Sequence, residues 1–199
     1  MKKLITKYSI YAFIWLTILY PLFIAGQNSG WQAQEGWATF LFPFFGLLMV
    51  SLLWLHAMSG SFEEWLRQYI NFDLFVEITA KIILACLVLH PLLALASFSF
   101  NLGDLYDYYG KLFIWAGIIS WILLISYDIF KPFKQGIFKN HWNKILIISN
   151  IGFIISFYHA INLGSDLQSG SLKYLWAFFG TTAILSIIYT YAIKPWIKK

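Results

Sequence analysis

No charged side chain interrupts residues 8–34, 36–62, 82–103, 112–127, 145–165 or 174–193. Each interval holds an apolar run long enough to cross roughly 30 Å of hydrocarbon as a helix, which takes about 20 residues. The runs are continuous rather than alternating. Backbone groups in lipid must be satisfied within their own segment, so helices are expected and a β-barrel is not. The expected fold is all-α: a polytopic, six-transmembrane-helix bundle forming a single transmembrane domain over 1–199. Its spans lie near 8–25, 38–57, 74–98, 109–130, 142–163 and 173–193. The composition agrees, with 60% hydrophobic, 21% aromatic and only 12% charged residues and a mean hydropathy of +0.68, far outside the soluble range. The first span is too long and too aromatic for a cleaved signal peptide.

The basic residues fall on alternate sides of these spans. Lys2, Lys3, Lys7, Arg67, Lys131, Lys134, Lys139, Lys144, Lys194, Lys198 and Lys199 share one side, Lys111 and Lys173 take the other, and Lys81 lies within a span. Eleven against two places both termini in the cytoplasm by the positive-inside bias and makes the plasma (inner) membrane the expected location. The net charge of +5 then reflects topology and anionic headgroups, so lipids are partners and nucleic acid is not. One cysteine, Cys86, excludes an intrachain disulfide and a cysteine metal cluster. Loops no longer than about 15 residues leave the function to the spans. Neither the phosphate-binding glycine motifs nor HExxH occurs. The glycines are dispersed, without the repeat of an inverted-repeat transporter.

Ionisable groups at membrane depth are expensive and mark function by default. They are His56, His90, His141 and His159, with Glu77 and Lys81. Spans three and five run in the same direction, and His90 and His159 each stand near the outer end of one. Two neutral imidazoles at one level of an apolar bundle suit the axial positions of a b-type heme. Each alone is equally well explained as a hydrogen bond between helices. Pro91 loosens the helix after His90, and Gly164 ends the helix after His159.

At these residues the chain resembles the ferric reductase-like transmembrane family, whose relatives include the NADPH oxidase membrane domain and the heme subunit of the methionine sulfoxide reductase system. "LHPLLALASF" resembles the family's third span and "FYHAINLGSDL" its fifth. "GIISWILLISYDIFK" with "HWNKILIISNIGFIISFYH" resembles the stretch between. The likeness covers roughly residues 38–193. It implies a heme b-binding electron-transfer protein, an oxidoreductase membrane component that passes single electrons toward an acceptor at the outer face. His90 and His159 would ligate the iron.

The family pattern carries a further histidine thirteen or fourteen residues before each ligand. Here those positions hold Val76 and Glu77, and Ile145 and Leu146, so the resemblance implies one heme. Flavin would come only through a partner, and a cytoplasmic flavin reductase or a membrane quinone is the electron donor the reading calls for. His56 and His141, at the inner ends of spans two and five, form a second, weaker candidate site. They would hold a displaced inner heme if the fifth helix already includes His141. Glu77 and Lys81, at i and i+4 with the acid first, are expected to pair facing the bundle interior. Trp54, Trp65, Trp142, Trp176 and Trp196 read as interfacial belts. "DLYDYYGK", residues 104–111, offers acids and tyrosines at the outer face, as a cation-receiving loop or a plain anchor. "KPFKQGIFKNHWNK", residues 131–144, is a basic aromatic segment for a lipid surface or an acidic partner. The alternative to electron transfer is a non-catalytic relative acting as a membrane assembly or partner-binding subunit. A small transporter rests on Glu77 and Lys81 alone.

Overall fold

A computed structural model describes residues 2–197. Among them the chain is all-α, with six helices long and apolar enough to cross a membrane. Lys198 and Lys199, and the side chain of Lys2, lie outside the described residues. The chain forms two compact units, residues 1–94 and 95–199.

The first unit carries α1 (Lys2–Asn28), α2 (Trp37–Leu66) and most of α3 (Phe72–Ser97). The second carries α4 (Leu102–Tyr109), α5 (Lys111–Phe130), α6 (Trp142–Leu163) and α7 (Gly170–Ile188). The last runs through a π-helical turn, Tyr189–Ile193, into α8 (Lys194–Ile197). Short 3-10 turns at Lys131–Phe133 and Lys139–His141 occupy the basic aromatic segment before α6. There Lys131 lies over the Tyr127 ring and Lys134 over the Trp142 ring.

Helix α1 begins six residues ahead of its expected span, and two further departures shape the connections. The second helix runs on to Leu66, well past the end of the apolar signal at residue 57. Thirty residues at 1.5 Å each reach about 45 Å, more than the hydrocarbon thickness, so the polar end "SGSFEEWL" continues as helix beyond the apolar run. Arg67 closes it: Nε donates to Glu63 at 2.9 Å, and the two terminal nitrogens donate to Asp73 at 2.9 and 2.8 Å. These bonds raise the already high Arg67 pKa, the Asp73 bond most and the Glu63 bond next. The fork thus ties the end of α2 to the start of α3. The other departure is α4, a helix where an outer loop is expected. Asn101 caps it by accepting from the Gly103 N–H at 2.9 Å. Gly110, at φ 82°, ends it.

Aromatic packing organises each unit. In the first, Phe13 of α1 meets Trp54 of α2 with ring centres 6.0 Å apart. In the second, the Phe153 and Phe157 rings of α6 meet at a tilt with centres 4.9 Å apart, and Trp176 meets Phe179 on α7 at 5.6 Å. Trp54 and Trp176 are 2% and 1% exposed, which corrects their reading as interfacial belt residues. Trp65 and Trp196 are exposed as expected. Helices α5 and α6 approach closely at Gly152, where the Ser120 hydroxyl donates to the Gly152 carbonyl at 2.8 Å. A Cβ at Gly152 would lie 2.7 Å from Leu123 Cβ and 3.0 Å from the Ser120 carbonyl oxygen. Small residues are what let helix backbones come this near in lipid.

Candidate functional site

Helix phase places His90 where it can act. The buried residues of α3 include Thr79, Ile83, Cys86 and Leu87. Continuing that spacing at 100° per residue puts His90 on the same face. Its Nδ1 lies 2.7 Å from the carbonyl oxygen of Phe42 on α2, and the Phe42 ring stands 6.0 Å from the imidazole. His159, on α6, repeats the contact in the second unit: Nδ1 lies 2.9 Å from the carbonyl oxygen of Phe113 on α5. Both imidazoles are half-buried.

The chemistry of the acceptor settles the tautomer. A carbonyl oxygen only accepts, so Nδ1 carries the proton in both rings. In the neutral imidazole the lone pair therefore lies on Nε2. Metal-ligating histidines commonly have this arrangement, with one nitrogen donating to a backbone carbonyl and the other to metal. Taken singly, each neutral imidazole therefore has its Nε2 as the nitrogen with donor capacity toward a metal.

His56 is held the opposite way. Its Nε2 lies 2.6 Å from the Thr79 hydroxyl, whose single proton goes to the Phe75 carbonyl at 2.6 Å. The hydroxyl must then accept from His56, and Nε2 is the protonated nitrogen. His141 precedes α6, as the last residue of a 3-10 turn with φ −116° and ψ 5°, and it is exposed. The helix that would carry both His141 and His159 on one face does not include His141. Among the described residues, no three His, Cys, Asp or Glu side chains come together as a metal cluster.

Glu77 and Lys81 do pair, at 2.7 Å. The expectation that they face the interior is corrected, because their side chains are 59% and 73% exposed. Both lie about half a turn around α3 from the buried face of Ile83 and Cys86. In the segment expected at the outer face, Asp104, Asp107 and Tyr108 are exposed on α4. Phe98, Tyr108 and Tyr109 form a ring cluster with centres 4.7 to 5.7 Å apart, as an anchoring segment would.

Sequence reasoning found both imidazoles but missed the Phe42 and Phe113 carbonyls and the Thr79 hydroxyl. Main-chain acceptors carry no residue signature. Thr79 was within reach of the pattern, being a polar residue on the apolar face of its span.

The chain is an all-α membrane protein with two carbonyl-anchored histidines. Comparison with family models, curated proteins and solved structures finds no match to it.

Proposed function

We propose that the chain is a heme b-binding electron-transfer protein of the ferric reductase-like kind, in which His90 and His159 would hold the iron of one heme. The observation that carries this reading is the matched state of the two imidazoles, each giving its Nδ1–H to a backbone carbonyl and keeping its lone pair on Nε2. When bound, the heme supplies a one-electron iron couple. The protein's own groups orient the ligating nitrogens through the Phe42 and Phe113 carbonyls, and the apolar helices around them keep water away and tune the potential. On the charge distribution, both termini lie in the cytoplasm of a plasma (inner) membrane. A cytoplasmic flavin reductase or a membrane quinone would supply the electrons, and an acceptor at the outer face would receive them.

A second reading has a specific observation in its favour. The chain uses His56 as a fastener between α2 and α3, so His90 and His159 serve equally as fasteners in a membrane assembly or partner-binding subunit.

Heme stoichiometry in protein expressed with ample heme separates the two. The first reading expects one heme per chain, near zero in His90→Ala and in His159→Ala and unchanged in His56→Ala. Colourless wild-type protein under those conditions supports the second.

A further inference from the structure

The carbonyls that hold His90 and His159 share a local sequence. Phe42 is followed four residues later by Gly46 on α2, and Phe113 four residues later by Gly117 on α5. In each case the histidine comes from the next spanning helix. The spacing has a mechanical meaning. In an α-helix the residue at i+4 stacks directly above residue i, and its Cβ tilts toward the helix N-terminus, over the carbonyl at i. Glycine at i+4 leaves that carbonyl open to a side chain arriving from a neighbouring helix.

The distances agree with this account. A Cβ at Gly46 would lie 2.9 Å from Cε1 and 3.1 Å from Nδ1 of His90. At Gly117 it would lie 2.6 Å from both Cε1 and Nδ1 of His159. Ordinary carbon contacts sit near 3.5–4.0 Å, so a methyl group cannot share either place with the ring. Gly152 offers the contrast within the same chain. Its nearest atoms belong to Leu123, Ser120 and Leu124, two of the three being backbone. Gly152 serves the approach of two helices, whereas Gly46 and Gly117 each have three ring atoms of one imidazole as their nearest neighbours.

We infer that Gly46 and Gly117 are positioning residues, each forming with the carbonyl four residues before it a seat that fixes one imidazole as the Nδ1–H tautomer and selects Nε2 as the nitrogen offered to a ligand. The consequence for iron rests on His90 and His159 being heme ligands; the seats themselves do not. Each seat acts on its own histidine, which a general packing defect would not do.

The test is nitrogen-15 NMR of the full chain labelled at histidine, in lipid nanodiscs and free of heme, followed by heme titration of the same samples. In wild type, His90 and His159 are expected as Nδ1–H tautomers. Gly46→Ala is expected to lose that signature at His90 alone, and Gly117→Ala at His159 alone. Gly152→Ala should lower thermal stability and leave both signatures in place. Tautomers unchanged in both seat variants, or lost as fully in Gly152→Ala, overturn the inference. If a seat variant fails to accumulate, the doubles Gly46→Ala/His90→Ala and Gly117→Ala/His159→Ala are expected to recover expression and melting temperature, because the ring that clashed is gone; no recovery overturns it. The heme titration keeps the two claims apart. Seats present in wild type with no heme taken up would end the heme reading alone, and heme bound with tautomers indifferent to the glycines would end the seats alone.

Discussion

His56 and His90 both join α2 to α3, yet they present opposite nitrogens. The Thr79 hydroxyl spends its proton on Phe75 and takes the Nε2 proton of His56, while the Phe42 carbonyl takes the Nδ1 proton of His90. Thr79→Val, close in shape but without the acceptor, removes the His56 bond. Hydrogen bonds between membrane helices average about 0.6 kcal/mol and reach about 1.7, and a loss within that range is expected in a thermal or denaturant melt. Heme content should stay at the wild-type level, because Thr79 touches neither proposed ligand; heme lost along with the His56 contact would reassign the site to the inner end of α2. At this scale His90 and His159 were legible because an imidazole stands out in an apolar run. Their seats were not, because a carbonyl has no residue signature and a glycine discloses its role only beside the ring it admits. Trp54 and Trp176 were misread for a related reason. Position near a span end is the only interfacial sign a sequence offers, and it says nothing about which tryptophans turn inward.

Among the elements, the end of α3 carries strain that chemistry can relieve. Ser99 and Phe100 follow it with φ of 51° and 60°, the left-handed region, which costs an L-residue roughly 1–2 kcal/mol. The Phe100 N–H reaches back to the Leu95 carbonyl at 2.8 Å and holds the turn. Ser99→Gly accepts that conformation freely but loses more chain entropy on folding, about 0.5–1 kcal/mol. A net gain of about 0.5–1 kcal/mol is expected as a higher melting temperature. The junction of α2 and α3 depends instead on the Arg67 fork. A lysine cannot reproduce two parallel bonds to one carboxylate. Arg67→Lys is therefore expected to increase proteolysis or hydrogen exchange around residues 67–73, whereas unchanged protection would show that the turn holds without the fork. The six spanning elements were legible from uninterrupted apolar length, and α6 begins and ends where its pattern does. The extra turns of α2 and the short helix α4 were not. Ion pairing and capping hold them, and a hydropathy signal does not see either.

For the molecule as a whole, the membrane architecture follows from six apolar helices, while orientation rests on the distribution of Lys and Arg. Single cysteines introduced at Gln135 and at Asp107, in a Cys86→Ser background, test it with a membrane-impermeant thiol reagent on intact cells. Labelling at 107 and protection at 135 are expected; the reverse would invert the direction assigned to electron flow. The Glu77–Lys81 pair shows where whole-chain reading fell short. Spacing predicted the bond, but which way the pair faces depends on the phase of the buried stripe along α3. The claim on which the functional account stands is that His90 and His159 together ligate one iron. Electron paramagnetic resonance of the purified ferric protein, expressed with ample heme, tests it most directly. The account predicts a low-spin bis-imidazole signal in wild type, replaced by a high-spin signal or lost in both His90→Ala and His159→Ala. A wild-type sample without that signal, or one in which either variant keeps it, would contradict the account.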